Sequence, residues 1–135
     1  MNLVKQIWKD RKSKVINPVA FSSLAQRMAK AISDEGGGKK GRKNQSSQLR
    51  KHYDVIFNLN QRAKLSELNW NVILATLHKQ LALIHYAHGR NLVTSSFVSM
   101  MDELIETIKD PDDLQVVTDF LEAFMAYYKE ERPQN

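Results

Sequence analysis

The residues best equipped for chemistry in this 135-residue chain are four histidines and fifteen carboxylates, with no cysteine among them. His85 and His88 stand three apart, and His78 lies one heptad before His85. Such spacing shares a helical face and has the reach to hold zinc. No Asp or Glu follows Glu67 in that stretch to complete a ligand set. The metalloprotease pattern, a glutamate beside the first of two histidines one turn apart, is missing. No Arg is followed four to six residues later by a His, as a helical ribonuclease of the HEPN kind would show. Asp102, Glu103, Glu106, Asp110, Asp112 and Asp113 cluster near expected helix ends, where they complement a helix dipole and meet solvent. Acid–base work would need two carboxyl groups in unlike surroundings, and nothing in their spacing provides that. Gly36-Gly37-Gly38-Lys39 lacks both the phosphate-loop spacing and a preceding strand. These patterns point away from an enzyme, and neither a metal nor another cofactor is expected.

What remains is cationic. Lys39, Lys40, Arg42 and Lys43 stand in a glycine-rich stretch, and Arg50 and Lys51 follow in the first turns of the next helix. Acids, not cations, suit the positive end of a helix dipole, so this pair sits at a local cost that a function would explain. Exposed N–H groups at that helix start reinforce the positive field along which a phosphate backbone can run. The whole chain carries a net charge of +5, unevenly placed. Residues 1–51 hold thirteen Lys and Arg against three Asp and Glu, whereas residues 100–135 hold three against ten. A basic front suits phosphates, and an acidic back suits the front of another copy, a head-to-tail contact that builds strings. The same asymmetry is also consistent with an unevenly charged, merely solvated surface.

The elements that must position these groups are helices, because apolar residues recur with a period near 3.6. Residues 18–34 carry Phe21, Leu24, Ala25, Met28 and Ile32 on one stripe, behind Pro18 in a first turn. Residues 36–45 form a basic loop that cannot bury apolar surface and is expected to be flexible. A second helix starts at Ser46 or Ser47, either a fair cap, and presents Leu49, Tyr53, Ile56 and Phe57. The longest helix, about 67–88, is capped by Ser66 and stopped by a left-handed Gly89. Its stripe is Trp70, Ile73, Leu74, Leu77, Leu81 and Ile84. A fourth, about 95–109, buries Phe97, Met101, Leu104, Ile105 and Ile108. The fifth opens at Asp110-Pro111-Asp112-Asp113 and buries Leu114, Val117, Leu121, Phe124 and Tyr128. The expectation is a single all-α domain over 1–135, a compact five-helix bundle. Residues 1–17 are either a short helix or a loosely attached arm. A chain of this length buries roughly two-thirds of its unfolded surface, enough for one core. The start lacks a signal-peptide run and no segment approaches a membrane span, so a soluble, cytoplasmic protein without membrane contact is expected.

Three stretches then coincide with one family pattern. Ser46-Ser47-Gln48-Leu49-Arg50-Lys51 resembles the hydroxyl-Gln-Leu/Ile-Arg-Lys element that opens a helix in the small subunit of type III-A (Csm) CRISPR interference complexes. Tyr86-Ala87-His88-Gly89-Arg90 is similar to that family's Tyr-x-x-Gly-Arg at the end of its central helix. The run from Phe120 to Lys129 resembles its aromatic, Met-containing last helix. The likeness covers about residues 45–130, and the first 44 lie outside it. Two departures stand out: Glu130 to Asn135 replaces a Gly-Gly-Lys-Asp tail, and Gln45 replaces a capping hydroxyl. The resemblance implies a non-catalytic subunit that stacks in copies beside the backbone subunits, along the crRNA–target RNA duplex, and helps hold target RNA. Arg50 and Lys51 match its Arg-Lys element and Arg90 its Gly-Arg, so these three join Lys39, Lys40, Arg42 and Lys43 as RNA-contact candidates. For Arg90 an equal reading is a cation neutralising a helix C-terminus. Two other functions are weighed against this one. A protein-only helical adaptor would join subunits by basic-to-acidic contacts, with no salt-sensitive RNA affinity. A DNA-reading helix-turn-helix needs a shorter, more polar recognition helix than the one here.

Overall fold

Asp110 sets the direction of the last helix before any packing occurs. Its carboxylate accepts a hydrogen bond from the Asp113 N–H at 3.0 Å, and Pro111 takes the first helical position, where its missing N–H costs nothing. The computed structural model describes residues 2–65 and 69–135, and it shows this helix running Pro111–Glu131. In chain order the elements are α1 (Leu3–Ile7), β1 (Trp8–Asp10), β2 (Val15–Ile16), a 3-10 turn (Pro18–Phe21) and α2 (Ser23–Glu35). A second 3-10 turn (Gly38–Lys40), α3 (Ser46–Lys64), α4 (Trp70–Gly89), α5 (Ser95–Glu106) and α6 (Pro111–Glu131) complete it.

Helix α6 packs on α2 and α3, α3 on α4, α4 on α5, and α5 back on α2, so the long helices close around one core. Phe120, Phe124 and Tyr128 of α6 are fully buried, and burial of such a side chain contributes roughly 1.5–3 kcal/mol. The rings of Phe124 and Tyr128 stack with centroids 5.4 Å apart, one turn along the same helix. All five apolar residues expected inside α5 and its exit are buried, as are Leu24, Ala25, Met28 and Ile32 of α2. The all-α expectation holds, apart from the small β1–β2 hairpin.

Several details differ. Among the described residues there are six α-helices where the periodicity gives five, the additional one being α1. Within residues 1–17, Leu3, Ile7 and Trp8 are buried against the bundle, and Trp8 pairs with Ile16 in the antiparallel hairpin. Three apolar side chains at the right spacing suffice to dock so short a segment. The stretch beginning at Pro18 opens as a 3-10 turn, and the α-helix starts only at Ser23. Neither Ser46 nor Ser47 caps α3; the cap position is Gln45, without a side-chain hydrogen bond. Phe57 is 41% exposed, because it falls to the outer edge of the stripe that buries Tyr53 and Ile56. Helix α5 ends at Glu106, before the expected 109. Gly89 is the last residue of α4 and is not left-handed; Asn91, with φ 62°, makes that turn instead. Ser66 as a cap and a helix start near 67 lie outside the described residues; within them Asn69 caps α4, accepting from Asn71 N–H at 2.8 Å.

Candidate nucleic-acid interface

Close contacts at both ends shape the path of the basic loop in the structure. Gly36 and Gly41 approach so closely that a β-carbon on Gly41 would collide with the Gly36 carbonyl. Glycine is therefore required by contact between two strands of the loop, not by mobility. Behind them lies Arg132, at the end of α6 and fully buried. It donates to Ser33 Oγ at 2.8 Å, to the Ser33 carbonyl at 3.0 Å, to the Lys43 carbonyl at 3.0 Å and to the Gly41 carbonyl at 3.3 Å. No carboxylate faces this cation among the described residues. Carbonyls at the negative end of the α2 dipole satisfy it instead.

Asn44 closes the loop. It is fully buried with φ 58°, a conformation Asn tolerates better than most residues. Its side chain donates to the Ile32 carbonyl at 2.9 Å and to Thr94 Oγ1 at 2.7 Å, and accepts from Thr94 N–H at 2.9 Å. Its own N–H donates to the Leu92 carbonyl at 3.0 Å, and the Tyr128 hydroxyl donates to its carbonyl. Burial pushes the Tyr128 phenol up to about 12, which keeps that donor protonated. One residue thus ties the end of the basic loop to α2, α6 and the α4–α5 connection.

This framework directs the cations outward. Lys39, Lys40, Arg42, Lys43, Arg50, Lys51 and Arg90 are all exposed, and among the described residues none forms an ion pair. The bond from Asn44 to Leu92 carries the loop to the turn that holds Arg90. Arg90 and Lys51, from α4 and α3, line one groove of about 270 Å³. The Arg90 guanidinium lies 5.9 Å from the centroid of the exposed Tyr86 ring. Geometry therefore joins Lys51 of α3 to Arg90, while Arg50 lies outside this groove.

The front cations of the hairpin behave differently. Arg11 donates to Asp113 at 2.6 Å and to the Thr107 carbonyl at 2.8 Å, with its guanidinium 4.7 Å above Trp8. Lys14 pairs with Asp110, which holds the Asp110 carboxyl below its ordinary range. Part of the basic front and acidic back thus neutralise each other within one chain. The histidines do not converge: His85 pairs with Asp102 at 3.0 Å, and His88 lies 3.4 Å from Ser95 Oγ. No group of three His, Asp or Glu able to hold a metal ion occurs among the described residues.

Gln48, His52 and Gln80 were not legible as site residues. His52 is 2% exposed and Gln80 5%, and they bond at 2.7 Å between α3 and α4. Their signal was available: polar residues falling on core-facing turns, His52 between Leu49 and Ile56, Gln80 between Leu77 and Ile84.

The family model Csm2 Type III-A matches residues 20–134. The chain belongs to the Csm2 family. No curated protein and no solved structure matches it. The match reaches upstream of the motifs that start at Ser46, taking in α2 and the basic loop, which had no counterpart in the residue-level resemblance. Csm2 is the small structural subunit of the type III-A CRISPR effector complex, so membership implies other Csm subunits, crRNA and target RNA as partners. No helix among the described residues is long and apolar enough to cross a membrane.

Proposed function

We propose that this Csm2-family chain is a non-catalytic holder of target RNA, stacking in copies along the crRNA–target duplex in the service of antiviral defence in the cytoplasm. The observation that carries the reading is the contrast between two sets of cations. Arg11 and Lys14 are neutralised by Asp110 and Asp113, whereas Lys39, Lys40, Arg42, Lys43, Arg50, Lys51 and Arg90 stand exposed without ion pairs. Phosphates meet such cations by releasing counterions, which reads backbone shape and charge but no sequence.

With perhaps ~3–5 phosphate contacts per copy, affinity for single-stranded RNA falls with salt at a log–log slope of roughly −2 to −3.5. A single copy binds weakly, and copies aligned on one strand gain through effective concentration. The test is a type III-A complex assembled with Arg50→Glu in this subunit. Target RNA binding should weaken while the subunit keeps its helical content and its place in the complex; binding equal to wild type across a salt series would remove Arg50 from the interface. The protein-only adaptor has its own support in a groove lined by Glu35, Asp102 and Glu103, where a neighbouring copy's basic loop would fit. It predicts self-association with no RNA affinity at low salt.

A further inference from the structure

We propose that the groove between α3 and α4 is a pocket for one unstacked nucleobase, whose 5′ or 3′ phosphate rests on Lys51 and Arg90. The inference deepens the RNA-holding reading and rests on it. At about 270 Å³ the groove is smaller than the sites of drug-sized ligands, which begin near ~300 Å³, and it suits a single flat group better than a helix or peptide. Its walls are apolar and open to solvent: Leu83 is 45% exposed, Leu92 36% and Tyr86 64%. A tyrosine face is a platform on which any base stacks.

Two polar groups of the lining lack partners. Gln48 Oε1 and His52 Nε2 are buried and make no hydrogen bond. Gln80 Nε2 lies 2.7 Å from His52 Nδ1, and an amide nitrogen can only donate. His52 Nδ1 is therefore the acceptor, the ring is neutral, and its proton sits on Nε2. Burial, helped by the neighbouring Lys51 charge, pushes His52 down to about 4, in keeping with that tautomer. One donor and one acceptor, both shielded from solvent, are thus left unpaired beside the groove, the complement of a base edge. Orphaned buried groups are rare in folded proteins, and a ligand that pairs them recovers their lost hydration. The cationic rim decides the class of occupant: an apolar peptide would gain nothing from Lys51 and Arg90, whereas a nucleotide uses both ends of the groove.

The experiment is an NMR titration of the full chain with uridine and adenosine 5′-monophosphates, and separately with ribose 5-phosphate. The nucleotides should shift the Tyr86 ring, the Gln48 side-chain amide and the His52 ring; ribose 5-phosphate should move only Lys51 and Arg90. Tyr86→Ala should weaken nucleotide binding roughly five-fold or more, with Tyr86→Phe retaining it. Gln48→Leu should weaken it without altering the salt slope for single-stranded RNA. If nucleotides and ribose 5-phosphate give the same shifts, the pocket is refuted while backbone holding stands. If neither ribose 5-phosphate nor RNA binds at low salt, both readings fall together.

Discussion

Arg11 and Asp113, 102 residues apart in sequence, share a hydrogen-bonded ion pair of 2.6 Å that fastens the N-terminal hairpin to the first turn of α6. Asp113 has a nearly buried side chain and also accepts from the Lys109 N–H at 2.9 Å. Its charge sits where the α6 dipole favours it. The pair adds a polar fastening to the burial of Leu3, Ile7 and Trp8.

Arg11→Ala should therefore lower unfolding stability by about 1.5–3 kcal/mol, the usual worth of a hydrogen bond to a charged group whose partner remains buried. Urea unfolding followed by Trp fluorescence measures it. A change under about 0.5 kcal/mol, the range of ordinary surface substitutions, would show that the hairpin is held by Leu3, Ile7 and Trp8 alone.

Asn44→Ala removes three side-chain hydrogen bonds and leaves a residue with a β-carbon but no local compensation at φ 58°. A loss of about 2–4 kcal/mol is expected, combining orphaned buried groups with backbone strain. Hydrogen exchange should rise at Thr94 and through the loop of residues 36–44. Exchange unchanged there would mean that the loop does not depend on this residue.

Arg132→Met keeps the stem but deletes the donors to Ser33, Gly41 and Lys43. About 3 kcal/mol should be lost. Because the loop cations are aimed by this contact, the RNA affinity of the folded fraction should drop as well. Retained affinity after correction for folding would separate the loop's shape from its charge.

The stability–pH curve should carry a signature of His52. Its folded value, about 4, lies below the ordinary 6.5, so between these values the unfolded chain binds a proton that the folded chain refuses. Stability then rises with pH across that window and is lost as pH falls, by about 3 kcal/mol at the acid end. His52→Leu should flatten this part of the curve relative to wild type. Parallel curves from pH 7 to pH 4 would show that the imidazole titrates normally.

Much of the fold was legible because helical burial repeats locally: Leu24, Met28 and Ile32, or Leu114, Val117 and Leu121, announce their face within a single helix. Asp110-Pro111 likewise marks a helix start through contacts with its own next turn. The exposure of Arg50 and Lys51 follows from the same periodicity, since they flank the buried Leu49 on the outer side of α3. The caps of α3 and α4 were harder to read. Ser46 and Ser47 have the right chemistry, yet the chain is already helical at both positions.

Composition could not indicate the contacts made by residues 36–44. Glycine and lysine there say nothing of the close approach of Gly36 to Gly41 or of the reach of Arg132 from the far end of the chain.

From the order of residues alone came the helical class, the faces turned to the core, the run of cations from Lys39 to Lys51 and the motifs that mark a small Csm subunit, because each depends on neighbours within a few turns. Only the folded chain decided which cations remain available and which face acids, that Lys51 and Arg90 line one groove, and that Gln48 Oε1 and His52 Nε2 are left there without partners. Those outcomes depend on distances between side chains far apart in sequence, set by how α3, α4 and α6 pack, and no local period encodes them.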